Sequence, residues 1–230
     1  MNILITICAR AGSKGLPGKA TKTFNGKPLC QWTMEQAFDF GKGKVVVSSD
    51  DPMVLSIARD MGLDYFTRAS SLCQDDPPKL DVLRDILNKF GADKFDCVMD
   101  LDITNPCRTL EDMNKCVEIF KEKRPKTLFS VTKARKSPFF NQVFYDGGFW
   151  ETIELRNPIT SRQQAPESCD LNSCIYIYDA DWLLEDKNHL SPITNNSEIY
   201  LMPDWTFCDI DNEVDFFVAE KLHKKYMAQA

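Results

Sequence analysis

Asn2-Ile3-Leu4-Ile5-Thr6-Ile7-Cys8 runs directly into Ala9-Arg10-Ala11-Gly12-Ser13-Lys14-Gly15-Leu16-Pro17-Gly18-Lys19, and this junction decides the fold class. A short, nearly unbroken apolar run rich in β-branched residues reads as a strand buried on both faces. The glycines and the proline that follow end it, and the chain turns with backbone N–H groups and cationic side chains on display. A buried strand feeding such a loop is how α/β proteins present donors and positive charge to a phosphate chain. The charge distribution agrees. No Asp or Glu precedes Glu35, whereas Arg10, Lys14, Lys19, Lys22 and Lys27 give the first 34 residues a formal charge of +5; the chain as a whole is −6, so the remaining 196 residues carry −11. Positive charge gathered at one place on an acidic protein suits a small polyanion, because nucleic acid binding uses a wider basic footprint. The loop is neither Gly-x4-Gly-Lys-Ser/Thr nor Gly-x-Gly-x-x-Gly, which counts against P-loop and dinucleotide-binding proteins. As a bare pattern it also describes a solvated surface turn.

The 230 residues suit one α/β domain, long enough to bury roughly 70% of the unfolded surface. Nine cysteines contain no Cys-x-x-Cys pair and fall in predicted strands and helices, as at Cys8, Cys97, Cys116 and Cys174, where a free thiol packs as a small apolar group. Only His189 and His223 are available to assist a zinc site, so structural thiols in a reducing cytoplasm are expected. The first apolar run, residues 3–9, is too short for a signal-peptide core with its flanks or for a membrane span, so the protein is expected to be soluble and cytoplasmic.

Apolar runs alternate with longer amphipathic segments, the rhythm of βαβ units around a largely parallel sheet. Strands are predicted over 3–8, 44–48, 95–101, 127–131 and 174–178, and helices over 28–40, 52–61, 80–90, 110–123 and 213–226. Asp51 before Pro52 reads as an N-cap with Pro at the first helical position, and Thr109 with Asp112 three residues on is close to a capping box. From Lys133 the rhythm fails. Phe139, Phe140, Phe144, Tyr145, Phe149 and Trp150 crowd twelve residues around a predicted turn at Asp146-Gly147-Gly148. A surface hairpin does not keep six aromatics in water without association, so this excursion, about 133–166, is expected to pack against another subunit; folding back on its own domain is the alternative.

Three constellations fall at predicted strand ends, where an open α/β sheet gathers its ligand. The first is the opening loop. The second is Asp100-Leu101-Asp102-Ile103-Thr104-Asn105-Pro106-Cys107-Arg108, in which two carboxylates spaced by one residue point to the same side and suit a cation or an amine, although either Asp alone is as readily a turn cap. The third is Asp209-Ile210-Asp211 before the last helix. Magnesium takes a few hard carboxylate oxygens together with phosphate and water, which this pair supplies beside a triphosphate; Asp211 is alternatively the cap of the helix from Glu213.

Taken in order, 8–19, Ser48-Ser49-Asp50-Asp51-Pro52, Thr104-Asn105-Pro106-Cys107-Arg108-Thr109, Arg162-Gln163-Gln164-Ala165-Pro166 with Asn172-Ser173-Cys174-Ile175-Tyr176-Ile177, and Asp209-Ile210-Asp211 resemble the acylneuraminate cytidylyltransferases (CMP-sialic acid synthetases) over almost the whole chain. The resemblance implies a single Rossmann-like nucleotidyltransferase domain over 1–230. Its mostly parallel sheet has helices on both faces, and its small dimerisation excursion completes the partner's site. It implies attack by the anomeric hydroxyl of a nonulosonic (sialic-acid-like) sugar acid on the α-phosphorus of CTP, with magnesium (Mg2+) as cofactor and no part for nucleic acid or membrane. By resemblance Ala9, Arg10, Gly12, Ser13, Lys14, Lys19 and Lys79 bind the nucleotide. Arg10, Lys19 and Asp211 act in catalysis, and Asp209 and Asp211 hold the metal. Asp102, Thr104, Arg108, Arg162 and Gln163 meet the sugar acid, Arg162 from a homodimer partner.

Two departures matter. Ala20 stands where the family has Asn after the loop lysine, and Asp102 stands where a sugar-contacting Gln is expected. Replacing a neutral donor/acceptor by an anion changes what that position can receive. Asp-Leu-Asp at 100–102 and the pair Pro78-Lys79 resemble the legionaminic acid branch, which favours a bacterial nonulosonic acid other than ordinary sialic acid. Transfer to another acceptor, such as a smaller ulosonate, a phosphonate or a sugar phosphate, and a nonenzymatic nucleotide-binding homologue are the other readings.

Overall fold

Strand β1 (Ile3–Ala9) is buried along its whole length. Ile3, Ile5, Ile7 and Ala9 enter one apolar cluster while Leu4 and Cys8 enter another, as a two-residue period requires. Leu4, Ile5 and Ile7 are fully buried, each removing an aliphatic side chain from water for about 2 kcal/mol. The structure is a computed structural model that describes residues 1–74, 77–145, 147–153, 159, 161–186 and 188–227.

A short ribbon, β2 (Thr23–Phe24) with β3 (Lys27–Pro28), leads into α1 (Leu29–Phe40), β4 (Lys44–Ser49), α2 (Pro52–Asp60) and β5 (Asp64–Thr67). The alternation continues through α3 (Lys79–Phe90), β6 (Cys97–Leu101), α4 (Leu110–Lys123) and β7 (Thr127–Lys133). A hairpin of β8 (Phe144–Tyr145) and β9 (Trp150–Glu151) interrupts it before β10 (Cys169–Asp179), α5 (Ala180–Glu185), β11 (Ser197–Leu201) and α6 (Glu213–Tyr226). Seven strands make one sheet in the order β11-β7-β10-β6-β1-β4-β5. β10 runs antiparallel to both neighbours, and every other pairing in that sheet is parallel.

Helices cover both faces. Met34 of α1, Ala58 of α2 and Met113 of α4 pack on the Ile5 side; Leu83 and Ile86 of α3 and Leu183 of α5 pack on the Leu4 side. A third cluster joins Leu16, Phe24 and Leu29 to Ile210 and to Phe216 of α6, so the cationic loop and the Asp209–Asp211 segment share one apolar anchor. Asp51 accepts from the Met53 N–H ahead of Pro52, and Thr109 with Asp112 forms a reciprocal capping box.

The observed class is the expected one, with differences of detail, β2, β3 and α5 being absent from the predicted elements. β5 and β11 were not anticipated, because short strands at the two edges of a sheet carry little apolar periodicity. β10 runs antiparallel to β7 because the excursion returns the chain at the end of β7 that it left, Cys169 lying opposite Lys133, and it begins at Cys169, ahead of the expected 174. Its register shifts between Leu171 and Tyr176, where Ser173 takes a left-handed φ of 50°. In the excursion Phe144 pairs with Glu151 and Tyr145 with Trp150, while Asp146 of the expected turn lies outside the described residues. Phe144, Tyr145, Phe149 and Trp150 are exposed, Trp150 by 68%, while Phe139 is half-buried. All nine cysteines are free, and all but Cys73 and Cys169 are buried. Among the described residues no helix is long and apolar enough to cross a membrane.

Candidate active site

From β1 the chain crosses to β4 on one side, and β6 later joins β1 on the other; at such a switch point the carboxyl ends of the strands open a crevice. There a cleft of about 410 Å³ is lined from the first loop by Ala9, Arg10, Ser13, Lys14, Gly15 and Lys19. Cys8 at the end of β1, with Arg68, Lys79, Asp102, Ile103, Thr104 and Asp211, completes it. The loop is held from outside: the Ala11 N–H donates to Asp50 Oδ1 at 2.8 Å and Arg10 Nη1 donates to the Gln74 carbonyl at 3.1 Å. Gly12, also expected at the nucleotide, is exposed in this loop. Lys19 is 9% exposed and joins two segments far apart in sequence, donating from Nζ to the Ile210 carbonyl at 2.6 Å and lying 3.4 Å from Asp211 Oδ1. Gly15 makes the same junction from the backbone side, since a Cβ there would overlap the Asp211 carbonyl oxygen.

The acidic wall is built against the second constellation. Ile210 N–H donates to the Thr104 carbonyl at 2.9 Å, fixing the Asp209–Asp211 segment beside the loop after β6. Asn212, not Asp211, caps α6, accepting from the Val214 and Asp215 N–H groups; Asp211 is left free of capping, with its side chain 76% exposed. Asp209 Oδ1 is buried with no hydrogen-bond partner. Burial pushes the Asp209 carboxyl upward in pKa, against hydrogen bonds from Thr104 and Ser173, and the charges of Asp102 and Asp211 push it further. An orphaned carboxylate oxygen among like charges is a place where a cation relieves both costs. Among the described residues no three acidic, His or Cys side chains converge tightly enough to hold a metal by themselves. The donor set therefore suits a hard cation that brings phosphate and water as its other ligands, as magnesium does.

Asp100 and Asp102 do face one amine, and it belongs to the protein. Lys79 Nζ lies 3.0 Å from Asp100 Oδ2 and 3.4 Å from Asp102 Oδ2. Burial pushes the Lys79 pKa down, but the two carboxylates outweigh it and hold it well above the ordinary value. Thr104 sits beside them in the cleft.

Other expected ligand residues lie elsewhere. Arg108 is fully buried: it donates to the Asn105 carbonyl at 2.6 Å and to the Asp102 carbonyl, bracing the loop after β6 from inside rather than facing the cleft. Gln163 is exposed on the turn Arg162–Gln164, apart from the cleft lining, and the Arg162 side chain lies outside the described residues. Ala20 is buried in the main apolar cluster, where it packs. Arg68 was not anticipated. It is 6% exposed, donates to Ser48 Oγ at 3.1 Å and to the Ser48 carbonyl at 2.9 Å, and lines the cleft. Its signal was the run Tyr65-Phe66-Thr67, three good strand formers ending at an arginine.

Residues 4–203 match the cytidylyltransferase family model. The chain is 33% identical over 233 residues to a post-translational flagellin modification protein B of Campylobacter coli, covering 99% of this chain and 97% of that protein. It is 34% identical to a CMP-N,N'-diacetyllegionaminic acid synthase of Campylobacter jejuni, covering 96% of this chain and 94% of the other. Among solved structures, a CMP:2-keto-3-deoxy-manno-octonic acid synthetase complexed with CTP has the same fold, with TM-score 0.70, 19% identity and coverage of 100% of this chain and 99% of that one. A family model matching residues 4–203 and relatives 33–34% identical over nearly the whole length place this chain in the cytidylyltransferase family.

Proposed function

We propose that this chain transfers CMP from CTP to the anomeric hydroxyl of a nonulosonic sugar acid and releases pyrophosphate. The observation that carries the reading is the junction at Lys19, where the cationic loop after β1 is tied to the Ile210 carbonyl and to Asp211 at one cleft. Negative charge grows on the α-phosphate and on departing pyrophosphate, so the reaction needs positioning and cationic stabilisation more than a covalent nucleophile. Arg10, Lys14 and Lys19 bring that charge, and the loop N–H groups with Ser13 orient the triphosphate. Asp209 and Asp211 would hold magnesium. Bound there, the metal polarises phosphoryl oxygens. The relatives named for CMP-legionaminic acid synthesis support a nonulosonic acceptor. Nine free thiols suit a cytoplasmic enzyme.

We further propose a homodimer formed through the aromatic excursion, with Arg162 and Gln163 serving the partner's cleft. The deciding assay is pyrophosphate release with each nucleoside triphosphate and magnesium across a panel of sugar acids and sugar phosphates. Release confined to CTP with nonulosonic acids is expected. Release only with a sugar phosphate, or with no acceptor at all, overturns the reading.

A further inference from the structure

Lys79 opens α3 directly after Pro78, and its ammonium enters the cleft between two carboxylates of unequal freedom. Asp100 is 1% exposed and also accepts from Thr6 Oγ1 at 2.7 Å, so the sheet fixes it. Asp102 lines the cleft with its side chain 25% exposed, and besides Lys79 it accepts from the Thr104 N–H at 3.4 Å. Two carboxylates around one ammonium match the Lys79 charge within the protein. The first loop brings Arg10, Lys14 and Lys19 to the same cleft. Burial pushes the Asp102 pKa up, but the Lys79 charge and the Thr104 N–H bring it below its ordinary value, so the pair stays ionised at neutral pH.

We propose that Lys79 is a positioning residue for acceptor selection: tethered by the immobile Asp100, it fixes the orientation of the Asp102 carboxylate, which then selects sugar acids offering an N–H or O–H donor there and turns away substituents that only accept. This rests on the proposed transfer to a sugar acid. A carboxylate is purely an acceptor, and a buried polar group left unpaired by the wrong ligand discriminates far more sharply than one that can turn away. Selectivity then resides in the Lys79–Asp102 pair rather than in Asp102 alone.

The test is a double-mutant cycle with Lys79→Met and Asp102→Asn in the full chain. It is read in turnover with CTP and in calorimetric binding of N-acetylneuraminic acid and a di-N-acetylated nonulosonic acid in the presence of CMP. Lys79→Met should weaken the sugar about tenfold or more and move the CTP KM less than about twofold. Asp102→Asn should add little in that background, and Lys79→Arg should restore part of the loss. Additive losses, or an effect of Lys79→Met on the CTP KM alone, overturn the coupling and make Lys79 a nucleotide ligand. If Lys79→Met fails to fold, Lys79→Gln, which keeps a donor, completes the cycle. A wild type that binds a sugar acid without releasing pyrophosphate overturns the transfer reaction while the binding cycle still decides the coupling; one that binds no sugar acid overturns both.

Discussion

Lys19 shows how much one side chain joins. Its ammonium is buried, donates to a backbone carbonyl and lies beside an exposed carboxylate, so removing it takes a fixed positive charge from the cleft and loosens Asp211 at once. Lys19→Ala or Arg10→Ala should lower kcat by roughly 10² or more with the fold intact, the scale for losing one preorganised electrostatic contact; steady-state kinetics beside a thermal melt checks this. Gly15→Ala tests the same junction without touching charge. Its Cβ would strike the Asp211 carbonyl, so loop and segment must move apart, and the magnesium concentration for half-maximal turnover should rise, as a metal titration of turnover checks. At this scale the cleft-lining loop residues were legible because cations and glycines after a buried strand have one obvious physical use. The bracing contacts of Arg108 were not legible, since a loop arginine reads as a ligand, and only the fold shows it donating to backbone carbonyls from inside. Arg68 escaped notice because its strand is four residues long at the edge of the sheet.

Among the elements, α6 separates structure from chemistry at adjacent residues. Asn212 closes a capping box with Asp215, whereas Asp211 contributes no cap. Asn212→Ala should therefore cost about 1 kcal/mol of stability, the usual loss for an N-cap. Asp211→Asn should leave the melting temperature nearly unchanged and raise the magnesium requirement or abolish turnover; a stability loss equal to that of Asn212→Ala would mean that Asp211 is structural. Further along α6, His223 is 3% exposed, its Nε2 has no partner, and Phe24 and Trp32 pack edge-on against its ring. Burial, helped by the nearby Lys27 charge, pulls its pKa down to about 4. The unfolded chain takes up a proton near pH 6.5 that the folded chain refuses until about pH 4, so stability falls as pH drops through that window. The most this one group can contribute is about 3 kcal/mol. Denaturant titrations at pH 7 and pH 5 should show the loss, and His223→Gln should flatten the difference even if it lowers stability at both.

For the molecule as a whole, the alternation of apolar runs and amphipathic segments foretold a mostly parallel sheet covered on both faces, because each strand and helix declares its buried side in its own period. The antiparallel β10 was not legible, since its direction is set by where the excursion returns the chain, a property of no local pattern. The excursion itself was legible as a conflict: Phe140, Phe144, Tyr145, Phe149 and Trp150 are exposed together, an apolar patch that a lone subunit has little reason to keep. A two-fold contact hides such a patch by pairing it with itself, and a stable interface of that kind buries about 1,200–2,000 Å². Sedimentation at assay concentration should therefore give a dimer, and Phe149→Asp with Trp150→Asp should give a monomer. Sharing of sites has a sharper consequence. If Lys19 serves its own cleft and Arg162 serves the partner's, a mixed dimer of Lys19→Ala and Arg162→Ala subunits places both lesions in one cleft and leaves the other whole. Random exchange makes half the dimers mixed, so equal amounts of the two inactive proteins should recover about a quarter of wild-type activity. No recovery between subunits shown to exchange would assign Arg162 to its own cleft and leave the excursion a role in assembly alone.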